Sequence, residues 1–291
     1  MTLATQAASS RLRTAAFAPI GDEGRAELVV TRLVQAISTG AFIDGERLPS
    51  ESELAQLFGV AVVTVREALG ALRERGLIET RRGRAGGSYV SSSADAVEEV
   101  NAQSLTRLPR LALADLGVLY ATISSACAEY ACLRATEEEL EVVHRVLLEA
   151  RELPAAAWRR RITDVQLELA SLSQSVRLTS EHVRVQTEFT PFLALQDADT
   201  DQRHRAHDAL VAQVEAIRAG DVERARAVVR GSVRDSVRWL SVFRAELLAL
   251  PEGASLREAL DRRAAGASAT SPARAAGAAK AAKAAKAEGA A

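Results

Sequence analysis

Residues 47–90 read RLPSESELAQLFGVAVVTVREALGALRERGLIETRRGRAGGSYV, and the fold turns on this stretch. Ser50 and Glu53 form an S-x-x-E pattern directly after Pro49, the mark of a capped helix start. Gly59 breaks that short helix. Val65, Leu69 and Leu72 then recur at i, i+4 and i+7, one buried stripe of a second helix, and Gly76 supplies its stop. LIETR and GSYV alternate weakly on either side of RGRAG, which predicts a two-stranded hairpin with an Arg-rich tip. Upstream, Glu23 to Ser38 place Leu28, Leu33, Val34 and Ile37 at helical spacing, and Gly40 ends that run. Helix, helix, turn, helix, hairpin over residues 21–91 is the order of a winged helix-turn-helix. Its second paired helix offers an N-terminal turn to the major groove, while the hairpin meets backbone or minor groove. Arg81, Arg82 and Arg84 at the tip are expected to meet phosphates.

Outside this unit the organisation is simpler. Residues 1–20 are small and polar and read as a loose arm, and SSSADA at 91–96 reads as a linker. Helices are expected near 97–106, 112–134, 136–151, 155–173, 176–195, 203–219 and 222–249, with a kink at Thr190-Pro191 and an N-cap at Asp221. Residues 97–250 therefore read as a helical bundle. From Pro251 the chain is low in complexity, and from Arg262 it holds six basic residues and one acidic residue, with no apolar stripe to dock it. Residues 251–291 are expected to be a disordered basic tail.

Composition narrows the function. The 291 residues carry a net charge of −1, so any nucleic-acid surface is a local patch. All three lysines, Lys280, Lys283 and Lys286, lie in the tail. Cys127 and Cys132 are too few for a disulfide scaffold or a Cys-only zinc site, and on one helix they point about 140° apart, so they read as small apolar core residues. No apolar run of membrane-span length and no secretory leader are read, which predicts a cytoplasmic protein without a membrane partner. There is no Gly-rich phosphate loop, no G-x-S-x-G and no H-E-x-x-H, so no enzyme is expected.

Residues 25–90, and above all the string from Leu48 to Val90, closely resemble the DNA-binding domain of the GntR family of bacterial transcription regulators, over about 65 residues without a gap. The helical region, with IRAGDVERARAVVR near its end, looks like the FCD effector domain of the FadR subfamily. The resemblance implies a mainly α protein that binds double-stranded DNA at a palindromic operator as a homodimer, tuned by a small-molecule effector in the bundle. The DNA-facing positions it implies are Arg47, Ser50, Val62, Val63, Thr64 and Arg66, with Arg81, Arg82, Arg84 and Gly86 in the hairpin.

Departures from the family pattern sharpen this. Ala61 and Val62 stand where relatives carry a Ser or Thr and then an Arg, so the recognition helix lacks a side-chain cap and the bidentate Arg contact to guanine. Thr64 and Arg66 match the pattern, and Ser52 replaces a frequent Arg. Metal-binding members use an Asp, a His four residues on, and two later His. Asp164 matches the first, whereas Glu168, Leu210 and Ser232 occupy the other three positions, with His207 one turn before Leu210. Tyr120 sits near a position where many relatives place an Arg. The effector site is thus expected to involve Tyr120, Asp164, Glu168, His207 and Ser232, with no metal and no cofactor. The competing reading is a constitutive, chromatin-like DNA binder in which the effector domain is degenerate and the tail holds phosphates.

Overall fold

In the computed structural model the described residues are 24–83, 86–91 and 93–251, together with residues 256, 259, 260 and 263. The head opens with α1 (Arg25–Ser38), whose buried face is Val29, Val30, Leu33, Val34 and Ile37. Leu28, expected on that stripe, is instead among the exposed apolar side chains. After α1 the chain reverses through Gly40, at φ 76°, with Gly40 N–H donating to the Ile37 carbonyl and Ala41 N–H to that of Ala36. A Cβ at Gly40 would run into the stem of Arg160 in the bundle, so this turn doubles as a contact between head and bundle.

The helix-turn-helix is α2 (Glu51–Phe58) and α3 (Val62–Glu74), bent by 110° across a glycine turn. Ser50 caps α2 reciprocally: its hydroxyl oxygen accepts from Glu53 N–H, and the Glu53 carboxylate accepts from Ser50 N–H at 2.7 Å. Strands β1 (Ile78–Arg81) and β2 (Gly87–Val90) pair antiparallel, Ile78 opposite Val90 and Arg81 opposite Gly87. Residues 45–48 extend this hairpin: Leu48 N–H donates to Ser88 and Val90 N–H to Glu46, so the wing is braced by a third short edge.

The bundle comprises α4 (Ala94–Arg107), α5 (Arg110–Arg134), α6 (Glu137–Ala150), α7 (Ala155–Ser171), α8 (Val176–Asp197), α9 (Thr200–Arg218) and α10 (Val222–Leu248). Side-chain caps start most of these helices: Ser93, Thr136, Ser175, Asp199 and Asp221 each accept a backbone N–H. Helix α8 runs through Pro191, as the single helix expected over 176–195 requires. Gly117 lets α5 press onto α10, because a Cβ there would collide with Val237. Leu167 and Val183 of the bundle belong to the same core as the head residues Leu33, Leu54 and Leu69, so the two units share packing.

Two sequence expectations change here. Helix α5 is long and apolar enough by composition to cross a membrane, although no such segment was expected. It packs against α8 and α10 through a buried face that includes Ser124 and Ser125, while Leu111, Val118 and Leu133 on its other side stay exposed. The tail is not uniformly undocked either. Leu256, Ala259 and Leu260 are buried in the bundle core, and Arg263 lies over the Trp239 ring, 4.6 Å from its centroid, while pairing with Glu246. Leu, Ala and Leu at i, i+3 and i+4 are a short stripe that the low-complexity surroundings conceal. The arm at 1–20 and residues 264–291 fall outside the described residues.

Candidate nucleic-acid interface and effector cavity

The residues expected to face DNA lie in the first turns of α2 and α3 and in the wing. At the start of α3, Ala61 takes the extended N-cap conformation, φ −69° and ψ 149°, but has no oxygen to cap with. Val62 and Val63 project outward, Val63 with 67% of its surface exposed, and Thr64 is half-buried. Arg66 is exposed, and its Nε and Nη2 both donate to Glu51 Oε2, at 3.1 and 2.8 Å. Ser50 uses its hydroxyl oxygen for the cap, which leaves the hydroxyl proton to donate to a phosphate. Because the N-cap geometry is already present, Ala61→Ser is expected to raise stability by about 0.5–2 kcal/mol in urea unfolding. No gain would mean that the serine side chain cannot reach Val63 or Thr64 N–H.

In the wing, Arg81 lies over the Tyr89 ring at 4.2 Å and donates to Glu79 at 2.6 Å, so its guanidinium is held against the ring. Arg82 is exposed beside it. Arg47 packs on Gly87, whose φ of 152° and lack of a side chain both serve this approach. Gly86 closes the hairpin by donating to the Gly83 carbonyl, and a Cβ there would lie 2.8 Å from that oxygen. Arg84 lies outside the described residues. Glu51, Glu79 and Tyr89, the residues that position the arginines, carry no signal in the linear pattern, since they meet their partners only in three dimensions.

Within the bundle, a cavity with about 60 Å³ of free interior opens between α5, α7, α8, α9 and α10. Tyr120 and Ser232, two of the expected effector residues, are on its wall. Asp164 and Glu168 are not. The i, i+4 pair of α7 that lines the cavity is Ile162 and Gln166, two residues earlier, and two residues rotate a helix by about 200°. His207 is fully buried behind the wall and accepts from Trp158 Nε1–H at 3.3 Å through Nδ1. The positions facing inward are thus Ile162, Gln166, Leu210 and Ser232. Among the described residues no three His, Cys, Asp or Glu converge as a metal set.

The wall holds a polar relay instead. Ser124 Oγ on α5, one turn from Tyr120, lies 3.2 Å from His182 Nδ1 on α8. The Tyr120 ring stacks on Phe189 and His182, with centroids 5.1 and 5.6 Å away. Arg159, the one charged wall residue, is locked to the buried Asp197 through Nε and through Nη2, the latter at 2.6 Å. A surface groove of about 600 Å³ between α9 and α10 shares Ser232 and Ser236 with the cavity and forms its approach.

Burial sets the protonation of these groups. It pushes the His182 pKa down to about 4, against a weaker upward pull from Gln186, and the Tyr120 pKa up to about 12. It also raises Asp164 to about 6, with Arg161 and Arg160 opposing. Between pH 6.5 and about 4 the unfolded chain protonates its histidine while folded His182 stays neutral, so its contribution to stability falls as pH falls. Asp164 acts oppositely: between pH 3.8 and about 6 the folded chain keeps a proton that the unfolded chain releases, so that contribution falls as pH rises. His182→Phe is therefore expected to lose less stability than wild type on acidification from pH 7 to 5, measured by urea unfolding at each pH. An unchanged pH slope would show that His182 is not the acid-labile group.

The sequence pattern of bacterial regulatory proteins of the gntR family matches residues 25–89, and the FCD domain matches residues 115–235. The HTH-type transcriptional regulator RmpR of Mycobacterium gastri is 32% identical over 223 residues, covering 73% of this chain and 79% of the relative. This chain belongs to the GntR family of bacterial transcription regulators. The repressor NanR of Escherichia coli is also similar, 27% identical over 230 residues, with 76% and 86% of the two chains covered. Among solved structures, McbR/YncC of E. coli aligns with a TM-score of 0.44 at 16% identity, covering 75% of this chain and 98% of its own. In this GntR regulator the winged head is the DNA-binding unit and the bundle is an FCD effector-binding domain, so the chain is a transcription regulator and not an enzyme.

Proposed function

We propose that this GntR regulator binds a palindromic operator as a homodimer, in the cytoplasm, and that a small uncharged molecule in the bundle cavity alters its hold on DNA. The head presents Val62, Val63, Thr64 and Arg66 to the major groove and Arg47, Ser50, Arg81, Arg82 and Gly86 to the backbone, with Arg84 in the same hairpin. NanR is a repressor, and repression is the mode proposed here. The carrying observation for the effector is the cavity wall: Arg159 is already neutralised by Asp197, and Tyr120, Ser124, His182 and Gln166 offer neutral donors and acceptors. Ile162, Leu210 and Ser232 at the inward positions support a metal-free site, since Ile and Leu offer no lone pair.

The dimer reading is supported by α5, an apolar helix with a large uncovered side. Leu111, Val118 and Leu133 repeat on one face, with 81%, 65% and 67% of their surface exposed. A second copy laid on this face gives the two-fold symmetry that a palindrome mirrors. The test is site selection from random DNA combined with sedimentation. An inverted repeat bound by two chains is expected, with A·T pairs opposite Val62, which contacts thymine methyls and has no donors for guanine. Single half-sites bound by one chain would refute the dimer, and a strict G·C opposite Val62 would refute its role.

A further inference from the structure

Beyond α10 the chain folds back on the bundle. Leu256, Ala259, Leu260 and Arg263 share one helical face at i, i+3, i+4 and i+7. The three apolar residues are buried in the core that also holds Tyr120, Phe189 and Leu193 of the cavity wall. Arg263 ends this face near the surface. Its guanidinium lies over Trp239 and Phe243, 4.6 and 5.9 Å from the ring centroids, and its Nη1 donates to Glu246 at 2.6 Å. One side chain thus pins the returning segment to the C-terminal half of α10 by two ring contacts and an ion pair.

Arg263 and Trp239 also border the surface groove between α9 and α10. That groove has Gln196, Ala206, Ala209, Val228, Ser232 and Ser236 in common with the bundle cavity, so one layer of mostly small side chains separates the two spaces. We propose that the segment carrying Leu256, Leu260 and Arg263 is a strap at the edge of the approach to the bundle cavity, latched by Arg263 on Trp239 and Glu246, and that release of the latch admits small molecules. The two halves of the strap differ in strength as such a device requires. Leu256 and Leu260 keep the segment seated through buried apolar surface. The latch is a stacked guanidinium with a partly exposed ion pair, weak enough to open while the fold stays intact. Any effect of the strap on operator binding rests on the reading of this cavity as the effector site, whereas its control of access does not.

Cys127 reports access, because its thiol is buried on the cavity wall. In the full chain carrying Cys132→Ser, its reaction with methyl methanethiosulfonate is followed by mass spectrometry, without effector or DNA. A buried thiol reacts in proportion to the population of the open form. Arg263→Ala, which removes the ring contacts and the ion pair together, is expected to speed labelling about tenfold. Glu246→Gln, which removes only the ion pair, should speed it about two- to threefold. The midpoint of urea unfolding should stay nearly unchanged in both variants, since Leu256 and Leu260 remain seated. Unchanged labelling in Arg263→Ala would overturn the strap. Acceleration matched by an equal loss of global stability would assign entry to unfolding and overturn it as well. Faster labelling at unchanged stability supports the strap even if operator titration finds no effector response, and that second result would count against the effector reading alone.

Discussion

Asp197→Ala is expected to destabilise the protein by about 3–5 kcal/mol, a large share of the stability of a typical domain. Asp197 is 1% exposed at the last turn of α8, where the helix dipole disfavours an acid. What holds it there is Arg159, 5% exposed on α7, which grips both carboxylate oxygens and also lies 4.9 Å from the Trp158 ring centroid. Arg203 adds a bond to the Asp197 backbone carbonyl at 2.7 Å. Truncating the acid leaves a guanidinium buried without a counter-charge, and that uncompensated charge, not the lost attraction, is the main cost. The double variant Arg159→Met/Asp197→Leu should therefore recover most of the loss. The same pair sets one cavity wall, so Asp197→Asn, which keeps one acceptor, should disturb the effector response more than the fold. The check is urea unfolding of all three variants. A cost below about 1 kcal/mol for Asp197→Ala would show that water reaches Arg159.

Not much of that pair was legible beforehand, and the reason is physical. The capping box at Ser50 and Glu53, the stop at Gly76 and the N-cap at Asp221 were readable because each is a local bond between near neighbours in the chain. Helix existence was readable because periodicity is local as well. Which face of α7 meets the cavity was not, since Trp158, Ile162, Val165 and Leu169 are buried on one side while Leu167 is buried on another, in the core shared with the head. A helix covered on several sides has no single stripe to read. The family-pattern placement of Asp164 and Glu168 was consequently two residues out of phase with the wall. Ion pairs such as Arg159 with Asp197, separated by 38 positions, and the docking of Leu256 and Leu260 depend on the assembled fold. Leu111 and Val118 show the converse: they are apolar, but the single chain does not cover them.

The recognition helix has the same property, and it leads to the second large effect. Arg66→Ala is expected to weaken operator binding by about 1–3 kcal/mol, five- to 150-fold, with Val62 leaving this helix no other guanidinium in its first turns. The structure adds a partner to the account. Glu51 holds Arg66 through both Nε and Nη2, and it places a carboxylate on the surface proposed to meet DNA. Binding must exchange that pair for a base or phosphate. An exposed pair of this kind contributes little to folding, so Glu51→Gln should leave stability nearly unchanged and tighten operator binding roughly three- to fivefold. In the double variant Arg66→Ala/Glu51→Gln the two effects should not add, because the second removes a competitor that no longer has anything to compete for. The measurement is operator titration at two salt concentrations for the four proteins of the cycle. Additive effects would mean that Glu51 acts only as a repelling charge, with Arg66 released from it before contact.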